Sequence, residues 1–213
     1  MCNYVIVDLE MCNISSSEKR EEFNCNNEII QIGAVLLNEK LEACDTFMTY
    51  VKPEFGALDS HITELTGITD ADLLGAPKFE DAIKDFLYWL PVNAQLVSWS
   101  ENDEIQVKRE ASAKNINIPM LKKLLKGWID CQKTFGKVMY SSRNYNLVEA
   151  LNISSIDYDP NAHDALVDAK NTALLFAKME KEKDKEYKLS PYISIGKSEN
   201  SGYTPFADLL EKI

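Results

Sequence analysis

Four acidic side chains and one histidine stand where this sequence turns from strand to loop or from loop to helix. Asp8 and Glu10 close an apolar, β-branched run, NYVIVDL over residues 3–9. Side chains two apart on a strand share a face, so both carboxylates converge at the strand's carboxyl end. Like charges that close repel, and they are tolerated best with a cation between them; the plainer reading is the start of a solvated loop. Asp168 flanks the small residues Ala165, Ala169 and Thr172, and a carboxylate beside apolar surface needs a partner. Either a cation or a lysine (Lys170, Lys178) meets that need. His163, one of two histidines, precedes Asp164, a natural helix N-cap. Asp103 follows the strand-like AQLVSW at the start of a helix, where capping is the ordinary role and Asn102 competes for it. Asp130 reads as an ordinary cap. Together, four carboxylates and one imidazole lie near element ends, where open sheets place ligand sites. Oxygen donors favour Mg²⁺ or Mn²⁺, whereas zinc recruits Cys or several His.

The elements that must position these residues follow from periodicity. Residues 3–9 predict a strand buried on both faces. The polar stretch 13–27 predicts a loop. Residues 28–37 (EIIQIGAVLL) and 44–51 (CDTFMTYV), joined by a short polar link, predict antiparallel neighbours. Residues 59–66 predict a short helix ended by Gly67. Phe79, Ile83, Phe86, Leu87 and Leu90 fall at helical spacing until Pro91 stops them. A strand over 94–99, a polar helix over 103–115, a weak strand at 128–132 and helices over 132–139 and 146–151 come next. The longest helix covers 164–180, with Ala165, Ala169, Ala173, Phe176 and Ala177 as a stripe suited to close packing on a sheet. Strands first, then alternating helices and strands, describe an α/β sandwich with a mixed sheet.

Composition narrows the function classes. The chain has 213 residues and a net charge of −11 from 23 Lys+Arg against 34 Asp+Glu. That balance disfavours capture of long duplexes through many lysine–phosphate contacts but permits a local site in which cations bridge acids to a phosphate. No run of about 18 apolar residues predicts a membrane span, and MCNYVIVDLE lacks the basic start of a signal peptide. Five cysteines with no CxxC pairing argue against a disulfide framework and fit a reducing cytoplasm. The densest basic patch, Lys122, Lys123 and Lys126, reads as a solvated helix face.

These motifs resemble the DEDDh (DnaQ-like) 3′–5′ exonuclease family. VIVDLEM carries its DxE at Asp8 and Glu10, LVSWSENDEIQVKRE its second block with Asp103, and HDALVDAKNTALLF its His-x4-Asp block at His163 and Asp168. DALVDAKN and WSENDEIQ are most similar to the Eri-like and KapD-like subgroup, which includes 3′ exoribonucleases. The resemblance spans roughly residues 3–180. It departs from the pattern in the 11–27 loop and at Ser100, where the subgroup has glycine.

The resemblance implies an RNase H-like three-layer α/β fold, a mixed central sheet flanked by helices, in an exonuclease domain over 1–182 with a tail or docking segment at 183–213. It implies two Mg²⁺ or Mn²⁺ ions on Asp8, Glu10, Asp103 and Asp168, with His163 as proton acceptor. The substrate would be the 3′ end of single-stranded nucleic acid, RNA or DNA, bordered by Met11, Leu65, Thr66 and Gly67. Two other readings stay open, a non-catalytic interaction module with this fold and a proofreading subunit of a DNA polymerase.

Overall fold

The computed structural model describes residues 3–161, 163–183, 185 and 187–189. Most of the expected 183–213 tail lies outside the described residues.

The first strand, β1 (Asn3–Asn13), is central. Helix α1 (Ser17–Phe23) leads to β2 (Asn27–Leu37) and β3 (Ala43–Tyr50), each antiparallel to its predecessor in the sheet. Three helices follow, α2 (Ser60–Thr66), α3 (Asp70–Leu74) and α4 (Phe79–Trp89), before β4 (Ala94–Ser98) pairs parallel to β1. Then come α5 (Asn102–Ala113), α6 (Pro119–Leu124) and β5 (Ile129–Asp130), which pairs parallel to β4. The chain continues through α7 (Cys131–Val138), α8 (Leu147–Ile153) and α9 (Ala165–Glu182). The five-stranded sheet runs β3-β2-β1-β4-β5, a mixed sheet in the RNase H-like arrangement.

Period-two alternation sorts β1 between two cores. Val5, Val7 and Leu9 join Phe79, Ile83, Phe86 and Val107 on the α4–α6 side. Ile6 joins Phe135, Leu151, Ala169 and Phe176 on the α7–α9 side. Asp8 and Glu10 share the parity of Ile6, so they face the layer that contains α9. The alanine stripe works as expected. Ala165, Ala169 and Ala173 are buried, and α9 packs on β1 and β2.

Three local features depart from the expectations. Residues 13–27 are not all loop, because Ser16 accepts the Lys19 amide at 3.3 Å and Asn24 closes α1 in the left-handed conformation. No α1 residue is buried, so the helix carries no apolar period to read. Helices α3 and α6 were also invisible, being helices of five and six residues set by a Thr69–Asp72 capping box and by Pro119 near the helix start. Strand β1 does not end at Leu9 but continues to Asn13, with Met11 and Cys12 paired to Ile29 and Glu28. The register slips between Glu10 and Met11, leaving Ile30 as the extra residue of β2. No helix among the described residues is long and apolar enough to cross a membrane.

Candidate active site

Parallel pairing of β1 with β4 brings their carboxyl ends to one edge of the sheet. Asp8 and Glu10 arrive there from β1, and the chain leaving β4 turns at once into α5, which carries Asp103 in its first turn. Asp103 is not the cap, since that position is Glu101 and makes no side-chain capping bond. Its carboxylate is instead buried, near the amide of Leu9, which lies between the two β1 acids and favours the charged form of Asp103.

Asp168 arrives from α9. Asp164 caps that helix as expected, its Oδ1 accepting from the amides of Leu166 at 2.9 Å and Val167 at 3.0 Å. The His163 amide donates to Asp168 Oδ2 at 2.9 Å, closing a tight turn in which His163 takes the left-handed conformation, φ 68°. The lysine pairing considered for Asp168 is not made by Lys178, which turns to Glu182 at 3.4 Å. A His163 ring nitrogen and carboxylate oxygens of Glu10 and Asp168 all lie within 4.8 Å of one another. Glu10 is buried, Asp8 and Asp168 are half-buried, and His163 is exposed.

Electrostatics ties Asp8 and Asp103 to the same cluster. Burial, followed by repulsion from Asp103, Asp168, Glu10 and Asp164, pushes the Asp8 carboxyl well above its ordinary range. Burial and the charges of Asp168 and Asp103 push Glu10 up to about 7. Asp103 also rises to about 7 through burial, against the Leu9 amide and Ser98 hydroxyl. Asp168 rises by burial, opposed by the His163 amide. At Asp8 and Glu10 every influence favours the neutral acid, so ionised acids here would be stabilised by an added cation. Their donors are hard oxygens with one imidazole alongside, a set that fits Mg²⁺ or Mn²⁺ better than zinc.

The sequence reading missed the residues that seat α9. Buried Gln31 bonds Ala165 and Asp164, and its signal was a lone amide inside the apolar run EIIQIGAV. Gly33, two residues on, lets the helix touch the sheet, because a Cβ there would overlap the backbone of Ala165 and Leu166. Asn171, at the base of α9, holds the loop before His163 by accepting from the Asp159 amide at 3.1 Å and donating to its carbonyl at 2.9 Å.

The four residues expected to border a substrate have varied settings. Met11 is half-buried against the α4–α6 core. Leu65, for which core packing was the plain alternative, is 39% exposed. The Thr66 hydroxyl donates to the Ile62 carbonyl at 2.8 Å and accepts from the Ile68 amide at 3.1 Å. Gly67 ends α2 at φ 73° with open space at its Cβ position. Helix α2 packs on β1. Lys122, Lys123 and Lys126 are exposed.

Comparison with known proteins matches this arrangement. The exonuclease family model (RNase_T) covers residues 5–176. ERI1 exoribonuclease 2 of Danio rerio is 33% identical over 199 residues, 82% of this chain and 34% of that protein. DNA polymerase III PolC-type of Caldanaerobacter subterraneus subsp. tengcongensis is 30% identical over 179 residues, 83% of this chain and 11% of that protein. The chain thus spans about a third or less of these two curated relatives. Among solved structures, the nuclease domain of 3′hExo, described as a DEDDh family member bound to rAMP, superposes with a TM-score of 0.72 at 26% identity, covering 88% of this chain and 96% of that one. The family model covers most of the chain, and the chain belongs to the DEDDh 3′–5′ exonuclease family.

Proposed function

We propose that this chain is a metal-dependent 3′–5′ exonuclease acting on single-stranded nucleic acid, RNA ahead of DNA, and releasing nucleoside 5′-monophosphates. One observation carries the reading: acids from β1, α5 and α9 are gathered so that burial raises all four, with repulsion from the other acids adding to it at Asp8 and Glu10, and one exposed imidazole stands beside Glu10 and Asp168. Asp8, Glu10, Asp103 and Asp168 would hold two divalent ions, Mg²⁺ or Mn²⁺. When bound, such ions make water a stronger nucleophile and neutralise charge developing on the scissile phosphate. A His163 ring nitrogen takes the proton of the attacking water, the general-base role that imidazole most often fills. The bond from the His163 amide to Asp168 keeps that ring beside the carboxylates.

Exposed Leu65 offers an apolar platform for the terminal base, with Met11, Thr66 and the open surface at Gly67 as its border. Similarity to exoribonucleases supports RNA, while the polymerase relative keeps DNA as a second reading. The five assigned side chains weigh against a non-catalytic interaction module. We place the catalytic domain at 1–182, with 183–213 as a following segment. The free Cys12, Cys25, Cys44 and Cys131 suit a reducing compartment such as the cytoplasm.

The test is release of mononucleotides from 3′-labelled single- and double-stranded RNA and DNA, with Mg²⁺ or Mn²⁺ and with chelator. Asp8→Ala should abolish hydrolysis. His163→Ala should lower turnover by about 10²–10⁴-fold and leave Mn²⁺ binding largely intact. Undiminished activity in both variants refutes the assignment. RNA cut no faster than DNA removes the substrate preference alone.

A further inference from the structure

We infer that Gln31 is a positioning residue, seating the start of α9 on the sheet and thereby setting where Asp168 and His163 meet Asp8 and Glu10. The inference rests on the proposed function of that site. Gln31 is 1% exposed on β2, and a buried primary amide is costly unless both its ends are bonded. Both are. Its Oε1 accepts from the Ala165 amide at 3.0 Å, and its Nε2 donates to Asp164 Oδ2 at 3.3 Å. The chemistry admits one orientation of the amide, because Ala165 N–H needs an acceptor and the Asp164 carboxylate needs a donor.

Helix starts leave N–H groups without intrahelical partners. Here Gln31 takes that of Ala165, and Asp164 takes those of Leu166 and Val167. The next amide, that of Asp168, already donates along the helix to the Asp164 carbonyl at 2.9 Å. The two side chains that satisfy the first turn thus hold each other, and Asp168 is the first residue beyond them.

The sheet register gives this seat its consequence. Gln31 lies opposite Glu10, and Gly33 lies opposite Asp8. The strand neighbours of both acids are therefore places where the first turn of α9 meets β2, one holding it by hydrogen bonds and the other admitting it by lacking a Cβ. A shift of the seat passes directly to Asp168, and through the His163 amide to the imidazole. Displacements of about 1 Å in a reacting constellation can cost about 10²-fold. A glutamate at position 31 would accept from Ala165 equally well but would set a second carboxylate against Asp164.

Three variants of the full chain test this: Gln31→Met, Gln31→Glu and the swap Gln31→Glu with Asp164→Asn. In the swap, the new amide at 164 donates to the new carboxylate at 31, and asparagine still caps the helix. Mn²⁺ affinity is read by calorimetry, folding by circular dichroism, and kcat and KM on a 3′-labelled single-stranded oligonucleotide. Gln31→Met and Gln31→Glu should weaken Mn²⁺ binding by about 10–100-fold, the usual cost of losing a group that orients a ligand, and lower kcat similarly at unchanged KM. The swap should recover about tenfold or more in both relative to Gln31→Glu. A folded Gln31→Met with wild-type Mn²⁺ affinity overturns the inference, as does a swap that recovers nothing. If Gln31→Met fails to fold, the comparison of Gln31→Glu with the swap decides. A wild-type chain without Mn²⁺ affinity or hydrolysis would instead overturn the proposed function itself.

Discussion

Replacing Glu10 by glutamine removes one negative charge from the crowded end of β1 while keeping nearly the same shape. Without cations this should stabilise the protein, and the size follows from the Glu10 environment. Burial, then Asp168 and Asp103, raise this carboxyl from 4.5 to about 7. At about 1.36 kcal/mol per pKa unit, that gap corresponds to ~3 kcal/mol. Asp168 and Asp103 protonate as the pH falls and relieve part of the repulsion, so we expect roughly 1–3 kcal/mol, or a rise in Tm of roughly 2–10 °C for a chain of this size. The sign depends on pH. Below about 4.5 glutamate is neutral in both the folded and the unfolded chain, and the two proteins should melt alike. Between about 4.5 and 7 the unfolded wild type ionises while the folded protein keeps its proton, so wild-type stability is progressively lost. Above about 7 the loss is complete, and the variant's advantage is greatest at pH 8. Saturating Mn²⁺ should reverse the order, because stabilisation by a ligand grows with its affinity for the folded state. The assay is thermal melting of both proteins at several pH values, in chelator and in Mn²⁺. A variant that is less stable in chelator at pH 8, or an advantage independent of pH, would show that the carboxylates do not repel as a buried cluster.

Further outcomes follow from packing and charge. Gly33→Ala places a methyl group against the backbone of Ala165 and Leu166; we expect a loss of about 1–3 kcal/mol in urea unfolding and a fall in activity larger than the stability loss explains. Lys114, with only 8% of its side chain exposed, pairs with Glu28 at 2.7 Å and Glu110 at 2.9 Å. Lys114→Met leaves both acids buried without their cation and should cost about 3–5 kcal/mol; an unchanged urea midpoint would mean that the network is relieved by other means. Phe135, fully buried in the α7–α9 core, should cost about 3–5 kcal/mol when truncated to alanine, with residual activity tracking the folded fraction.

Much of this protein was legible in the sequence because the relevant signals are local. The apolar run NYVIVDL, the antiparallel pair that follows it and the alanine stripe of α9 each carry their own period, and each formed the expected element. The acids were legible as residue types at recurring positions, and Asp164 and Asp130 as caps. Helices α1, α3 and α6 were not legible, because a helix of five to seven residues held by Ser16, by Thr69 with Asp72 or by Pro119 shows no apolar periodicity.

Which residues could do chemistry was thus written in the order of amino acids; how closely they meet was decided only by the sheet. Parallel pairing of β1 with β4 sets Asp103 beside Leu9, and the slip after Glu10 lets β1 continue past its acids to Asn13. The seat of α9 depends on contacts between residues more than a hundred positions apart, Gln31 with Asp164 and Ala165, and Gly33 with the same turn. No local pattern encodes such contacts. A hydrogen bond across the core depends on where two distant backbones lie, and that position is the outcome of packing both faces of the sheet at once.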